Sequence, residues 1–172
     1  MRSPIARRKQ SHPFKEPARS DPYRSQSKPR GIPCCPKCKS VSIRGRWLSP
    51  TQVKALRTPV LSTGKLKCPA CRQLDDRFAM GVVELQGSSW EAKKYDVMNT
   101  IQHTEEIARY RNDQERVLWS QKNDTVTKIY VSLPELARHI GRELVRSFKG
   151  KVEYKRSTEE PFLRVKWQLQ KT

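Results

Sequence analysis

The sequence predicts an α+β protein in three parts. A disordered basic tail covers residues 1–33, a zinc ribbon covers 34–76, and a ferredoxin-like α+β domain with an extra C-terminal strand covers 77–172. Three observations carry this division. Residues 1–33 are rich in Pro, Ser and Arg and poor in large apolar groups. Two cysteine pairs, Cys35-Pro36-Lys37-Cys38 and Cys68-Pro69-Ala70-Cys71, follow. After residue 77 the apolar pattern switches between the strand period of two and the helical period of 3.6.

The tail carries prolines at 4, 13, 17, 22, 29 and 33, with nine basic and two acidic residues. Such a segment buries too little surface to offset chain entropy and is expected to be disordered alone. It is either a solubilising tail or a basic arm, Arg7-Arg8-Lys9 through Arg30, that orders on phosphates. Its Arg and Ser content faintly resembles a transit peptide, with Glu16 and Asp21 counting against one.

In the second part, the two-residue spacer of each cysteine pair lets one tight turn aim two sulfurs at one ion. Two such turns complete a tetrahedral Zn²⁺ shell, and the pairs are expected to cap β-hairpins. Cys34 adjoins Cys35, and Cys35 is taken as the ligand because its spacing to Cys38 matches the second pair. The ligand set is therefore Cys35, Cys38, Cys68 and Cys71, holding a structural zinc. Between the pairs stand Lys39, Arg44, Arg46, Lys54, Arg57, Lys65 and Lys67, with no acidic residue over 39–67. An ordinary solvated surface mixes both signs, so this loop is read as a phosphate-contacting segment. Trp47 either stacks on an unpaired base or packs on the ribbon, the latter being favoured because a ribbon has little other core. Val41–Trp47 reads as a strand, Pro50 and Pro59 as breaks, and Leu61–Leu66 as a hairpin around Ser62-Thr63-Gly64.

In the third part, Phe78–Gln86 reads as a strand and Trp90–Asn112 as a long helix with Met98, Ile101, Glu105 and Ala108 on one line. Glu115–Lys122 and Thr125–Ser132 form a hairpin about Asn123-Asp124. Ser132-Leu133-Pro134-Glu135 fits a capping box opening a helix that lines up Leu136, Ile140, Leu144 and Phe148 and stops at Gly150. Val152–Arg156 and Phe162–Leu169 complete the set. The order strand, helix, strand, strand, helix, strand is the split βαβ pattern, with both helices on one face of the sheet.

Charge bounds the function. Lys and Arg number 36 against 17 acids, a net +19, and the three parts contribute +7, +7 and +5. Such an excess implies a polyanionic partner. Nothing approaches a membrane span and no secretory signal is evident, so a cytoplasmic protein with reduced, metal-binding cysteines is expected. Catalysis has thin support: His12, His103 and His139 fall in no nucleophile pattern, and no glycine-rich phosphate loop exists. The chain is read as no enzyme.

Binding surfaces are better supported. Arg138, Arg142 and Arg146 form a stripe along the second helix, which Glu135 and Glu143 could partly neutralise through i,i+3 pairs. Lys128 and Tyr130, and Arg164 and Lys166, alternate against apolar neighbours and would line the open face of the sheet.

Two resemblances follow from these residues. The Cys-Pro-x-Cys pairs, Gly45-Arg46-Trp47, Thr127-Lys128-Ile129-Tyr130-Val131-Ser132 and Leu136-Ala137-Arg138-His139-Ile140-Gly141 resemble a small, uncharacterised family of bacterial zinc-ribbon proteins. More distantly, residues 34–167 are similar to the adaptor family that escorts the large ribosomal subunit out of the eukaryotic nucleus, and to its archaeal relatives. That likeness lies in the cysteine pairs, Val83-Glu84-Leu85-Gln86, the long helix, and Lys128-Ile129-Tyr130 leading into the helix with Ala137. It implies a zinc-ribbon protein that binds ribosomal RNA or ribosomal particles, though that family carries more cysteine pairs than the two here. The expected function is zinc-stabilised RNA binding, with ribosomal proteins as further partners. The alternatives are a DNA-binding regulator, a redox or metal-handling protein, or a protein-interaction adaptor.

Overall fold

The computed structural model describes residue 23, residues 31–158 and residues 161–170. The expected disordered tail lies outside the described residues except at Tyr23 and residues 31–33. Tyr23 is docked: its hydroxyl donates to Asp76 Oδ2 at 2.9 Å, its carbonyl accepts from Arg72 Nη2, and its ring meets Phe78.

The expected α+β class is observed. A first sheet takes strands β1 (Pro33–Cys34), β2 (Val41–Ile43), β3 (Arg46–Leu48) and β4 (Gly64–Lys65) in the order β3-β2-β1-β4. Helices α1 (Pro50–Ala55) and α2 (Pro69–Asp75) belong to the same region.

Local chemistry corrects three expectations here. Val41–Trp47 is not one strand, because Arg44 and Gly45 both hold positive φ (53° and 83°) and fold it into a hairpin. Positive φ at both central residues is the two-residue turn that matches strand twist. Pro50 does not merely break the chain; it starts α1, whose cap is a reciprocal box between Ser49 and Gln52. Leu61–Leu66 forms no hairpin, and β4 instead pairs parallel with β1.

The second sheet takes β5 (Gly81–Gln86), β6 (Val117–Asn123), β7 (Val126–Val131), β8 (Lys151–Arg156) and β9 (Leu163–Gln168) in the order β6-β7-β5-β9-β8. Helix α3 (Lys94–Arg111) follows a single 3₁₀ turn, and α4 (Pro134–Phe148) connects β7 to β8. Val83 and Leu85, Ile129 and Val131, and Leu163, Val165 and Trp167 form one core with Val97, Ile101 and Ala108 of α3 and Leu136, Ile140 and Leu144 of α4. Both helices therefore cover the same face. Trp167 is fully buried and its indole N–H donates to the Lys149 carbonyl at 2.9 Å.

The last strand is placed differently from a plain split βαβ sheet, in which the strand after the second helix would pair with the first. Here β8 runs to the edge, and β9 enters between it and β5, parallel to β5.

Two side chains explain departures from pattern. Glu105 interrupts the apolar line of α3 because its Oε1 accepts the backbone N–H of Val117 at 3.0 Å, tying helix to sheet. Ser132 does not cap α4, whose N-cap is Leu133. Its hydroxyl donates to the Gln114 carbonyl at 2.6 Å and accepts from the Arg116 N–H at 2.8 Å.

Candidate metal centre and basic surfaces

The sulfurs of Cys35, Cys38, Cys68 and Cys71 all lie within 4.8 Å of one another, and Cys38 and Cys68 are 3.6 Å apart. Thiolates about 2.3 Å from a tetrahedral Zn²⁺ would stand about 3.8 Å from each other. The donor set and its spacing thus fit one ion held by four thiolates. Cys34 is outside the cluster; its sulfur faces the carbonyls of Cys35 and Lys39, each 3.7 Å away.

The two pairs reach the cluster by different local structures. The first is a tight knuckle, in which Lys39 N–H bonds Cys35 O at 2.9 Å and Cys35 N–H bonds Ser40 O at 2.8 Å. The second does not cap a hairpin as expected. Cys68 is the N-cap of α2 and Cys71 lies inside it, with Pro69 at the first turn where its missing N–H is harmless. The N–H of Ala70 is satisfied by Gln114 Oε1 at 3.0 Å.

A polar shell buttresses the sulfurs from far along the chain. Ser40 Oγ sits 3.2 Å from Cys38 Sγ and 2.5 Å from Asp113 Oδ2. Asp113 is fully buried; its other oxygen accepts from Arg109 Nε and Nη2 at 3.3 and 3.2 Å, and Arg116 pairs with Oδ2. Arg116 Nη2 also donates to Ser40 Oγ at 3.0 Å.

This shell sets the electrostatics. The Cys68 contact first, then the Ser40 hydroxyl and backbone and Arg116, hold the Cys38 thiol down to about 3 against burial. The same contact and burial push the Cys68 thiol up, and burial chiefly raises Cys71 to about 11. Burial works against the charge on Arg116, yet Asp113, Cys38 and Cys68 outweigh it and keep the guanidinium above its ordinary value. One thiolate is thus favoured at the expense of its neighbours. Four thiolates in such contact require a compensating cation.

The sequence-predicted basic residues do not form one surface. Arg44, Lys54, Arg57 and Lys65 are exposed on the 39–67 segment and have no ion pair among the described residues. Lys39 folds back on the Pro36 carbonyl at 2.9 Å, and Arg46 Nη2 donates to the Arg111 carbonyl at 2.9 Å. Lys67 pairs with Asp75 Oδ2 at 2.5 Å, and Lys37 pairs with the other oxygen of the same carboxylate at 2.5 Å. Trp47 is half-buried against the cysteines.

On the sheet face away from the helices, Arg164 pairs with buried Glu84 at 2.8 Å, and Lys128 stands 4.0 Å from it. Lys166 is left without an ion pair among the described residues. Tyr130 is stacked on Trp119 at 4.9 Å, and Arg77 lies over the Trp119 ring at 5.7 Å. One ring face of Trp119 is thus taken up by Tyr130. On α4, across the sheet, Arg146 pairs with Glu143 at 3.3 Å, whereas Arg138 and Arg142 have no such partner among the described residues.

Sequence reading missed Asp113, Arg116 and Ser40 as supports of the cysteine cluster. Asn112-Asp113 after a helix reads as an ordinary terminus, and nothing local signals a partner 73 positions away. No helix of the described residues is long and apolar enough to cross a membrane. No family model, curated protein or solved structure matches the chain.

Proposed function

We propose that this protein is a zinc-stabilised RNA-binding protein acting on ribosomal RNA or ribosomal particles in the cytoplasm, and that it is not an enzyme. The observation that carries the reading is the set Arg44, Lys54, Arg57 and Lys65. These cations are exposed, have no acidic partner among the described residues, and sit on a segment pinned at both ends by the four-cysteine cluster. An unpaired cation on a fixed scaffold gains by contacting phosphate and releasing counterions.

The all-sulfur donor set and tetrahedral spacing favour Zn²⁺ as the ion. Its residues hold it as a clamp: Cys35 and Cys38 on the knuckle, Cys68 and Cys71 on α2. The second sheet, read as a variant ferredoxin-like platform with a strand inserted at β9, supplies Lys166 and part of the charge of Lys128 and Arg164. Trp119 and Tyr130 stack on each other, which favours phosphate contact over base reading and a weak sequence preference.

Fractionation of a cell lysate on a sucrose gradient tests the ribosomal part. Comigration with a ribosomal subunit or precursor is expected, and recovery only at the top of the gradient would contradict it.

A further inference from the structure

We infer that α4 carries a phosphoryl-group site formed by the guanidinium groups of Arg138 and Arg142 and the hydroxyl of Tyr154. The inference rests on the RNA reading for its natural ligand, but the site itself is built from α4 and β8 alone.

Arg138 and Arg142 stand one helical turn apart and present adjacent side chains on the same face. Neither has a hydrogen bond or ion pair among the described residues. The i,i+3 pair expected between Glu135 and Arg138 is not made, whereas its counterpart between Glu143 and Arg146 is, at 3.3 Å. Between the two arginines lies Gly141, and over it lies Tyr154. A Cβ at Gly141 would stand 3.1 Å from the Tyr154 hydroxyl oxygen and 3.3 Å from its Cε1. Absence of a side chain at Gly141 is what lets the phenol rest on α4, on the turn that carries Arg138 and Arg142.

The Tyr154 side chain is 44% exposed and its hydroxyl has no partner among the described residues. Burial raises the phenol's pKa and only Arg142 and Arg138 oppose that; no carboxylate acts on it. Among the described residues the nearby acids make no ion pair with either arginine: Glu143 pairs with Arg146, and Glu115 Oε2 stands 3.7 Å from His139 Nδ1.

The result is three donor groups, none of them paired with a carboxylate among the described residues. Two forked guanidinium groups and one O–H suit a tetrahedral group with several equivalent oxygens, which is the shape of a phosphoryl group. The group could be a phosphodiester within an RNA chain or a terminal or free phosphate.

The test uses the full chain with three variants: R138Q/R142Q, Y154F, and R146Q as a control from the same helix. Binding is followed by fluorescence anisotropy with a 5′-hydroxyl oligoribonucleotide and with its 5′-phosphorylated form. Inorganic phosphate is titrated at constant ionic strength in parallel, and far-UV circular dichroism verifies folding.

The double variant is expected to weaken oligonucleotide binding about tenfold and to lower the salt slope by about 1 to 2, and Y154F to weaken it about threefold. R146Q should stay within about twofold. Equal losses with both oligonucleotides assign an internal phosphodiester; losses confined to the phosphorylated form and to inorganic phosphate assign a terminal phosphate. If the wild type binds inorganic phosphate but no RNA, and the double variant loses that binding, the site stands and the RNA reading falls. If R138Q/R142Q and Y154F match R146Q toward every probe, the site is refuted.

Discussion

Ser40 Oγ stands 2.5 Å from Asp113 Oδ2, and this contact joins the cysteine knuckle to the buried end of the α3–β6 connection. Asp113 is also held by Arg109 and Arg116, so the carboxylate is fully desolvated yet fully partnered. Removing one partner of such a cluster costs far more than the cluster contributes, because a buried charge is left alone.

Asp113→Ala should therefore destabilise the fold by about 3–5 kcal/mol in urea unfolding. It should also weaken metal binding about 10- to 100-fold, as loss of outer-shell support does elsewhere. Competition with a chromophoric chelator reads the second effect. Unchanged affinity would show that the shell does not orient Cys38.

The cysteine cluster predicts one metal ion per chain. Cys68→Ser should abolish tight binding, and Cys34→Ser should leave one equivalent bound, because the Cys34 sulfur faces carbonyls and not the cluster. Co²⁺ substitution followed by absorbance distinguishes a four-sulfur shell from one with a replaced ligand. Loss of binding in Cys34→Ser would reassign the ligand set.

Gly141→Ala sets helix propensity against packing. In an exposed helix the change would stabilise by about 1 kcal/mol. Here the added Cβ would stand 2.7 Å from Val165 Cγ1 and 3.1 Å from the Tyr154 hydroxyl oxygen. Overpacking of this kind costs about 1–3 kcal/mol, so net destabilisation is expected in thermal unfolding. A more stable variant would show that α4 does not lie this close to β8 and β9.

His139 gives a pH dependence with a defined sign. Burial first, then the guanidinium groups of Arg142, Arg111 and Arg138, hold the imidazole below its ordinary value of 6.5, and the Glu135 carboxylate, which acts the other way, does not offset them. The unfolded chain then binds more protons than the folded one as pH falls below about 6.5, and stability drops over that window. Half-buried Glu105 and buried Glu115, whose carboxyls burial pushes up, contribute with the opposite sign. Comparison of His139→Gln with the wild type in urea at pH 7.5, 6.5 and 5.5 isolates the imidazole. The variant should lose less stability on acidification, and parallel curves would contradict the assignment.

Much of the second sheet was legible because its elements are locally consistent. The alternation at Lys128–Val131 and Leu163–Trp167 and the helical line from Leu136 to Phe148 each describe one buried face, and period alone identifies it. What failed was decided by contacts between distant segments. The strand order at β9 is a choice of edge that no local pattern encodes. Ser132 has the composition of a cap, but its hydroxyl is better used on Gln114 and Arg116. The Arg44-Gly45 turn carries a positive φ on an arginine, which composition does not advertise.

The four cysteines were legible because metal geometry constrains spacing within each pair. Their support was not, since Asp113 and Arg116 meet Ser40 only after the whole chain has folded. Charge was legible as an excess but not as a surface. Whether Lys67 or Arg146 is free depends on Asp75 and Glu143, and the structure pairs both.

The most direct test of the account is filter binding of a structured RNA across a salt series, comparing wild type with R44Q/K54Q/R57Q/K65Q. Wild-type affinity should fall steeply with salt, by a log–log slope of about 0.7 to 0.9 per phosphate contacted, and the variant should show a slope shallower by about 2 to 4. An RNA affinity that ignores salt, or a variant that binds with the wild-type slope, would contradict it.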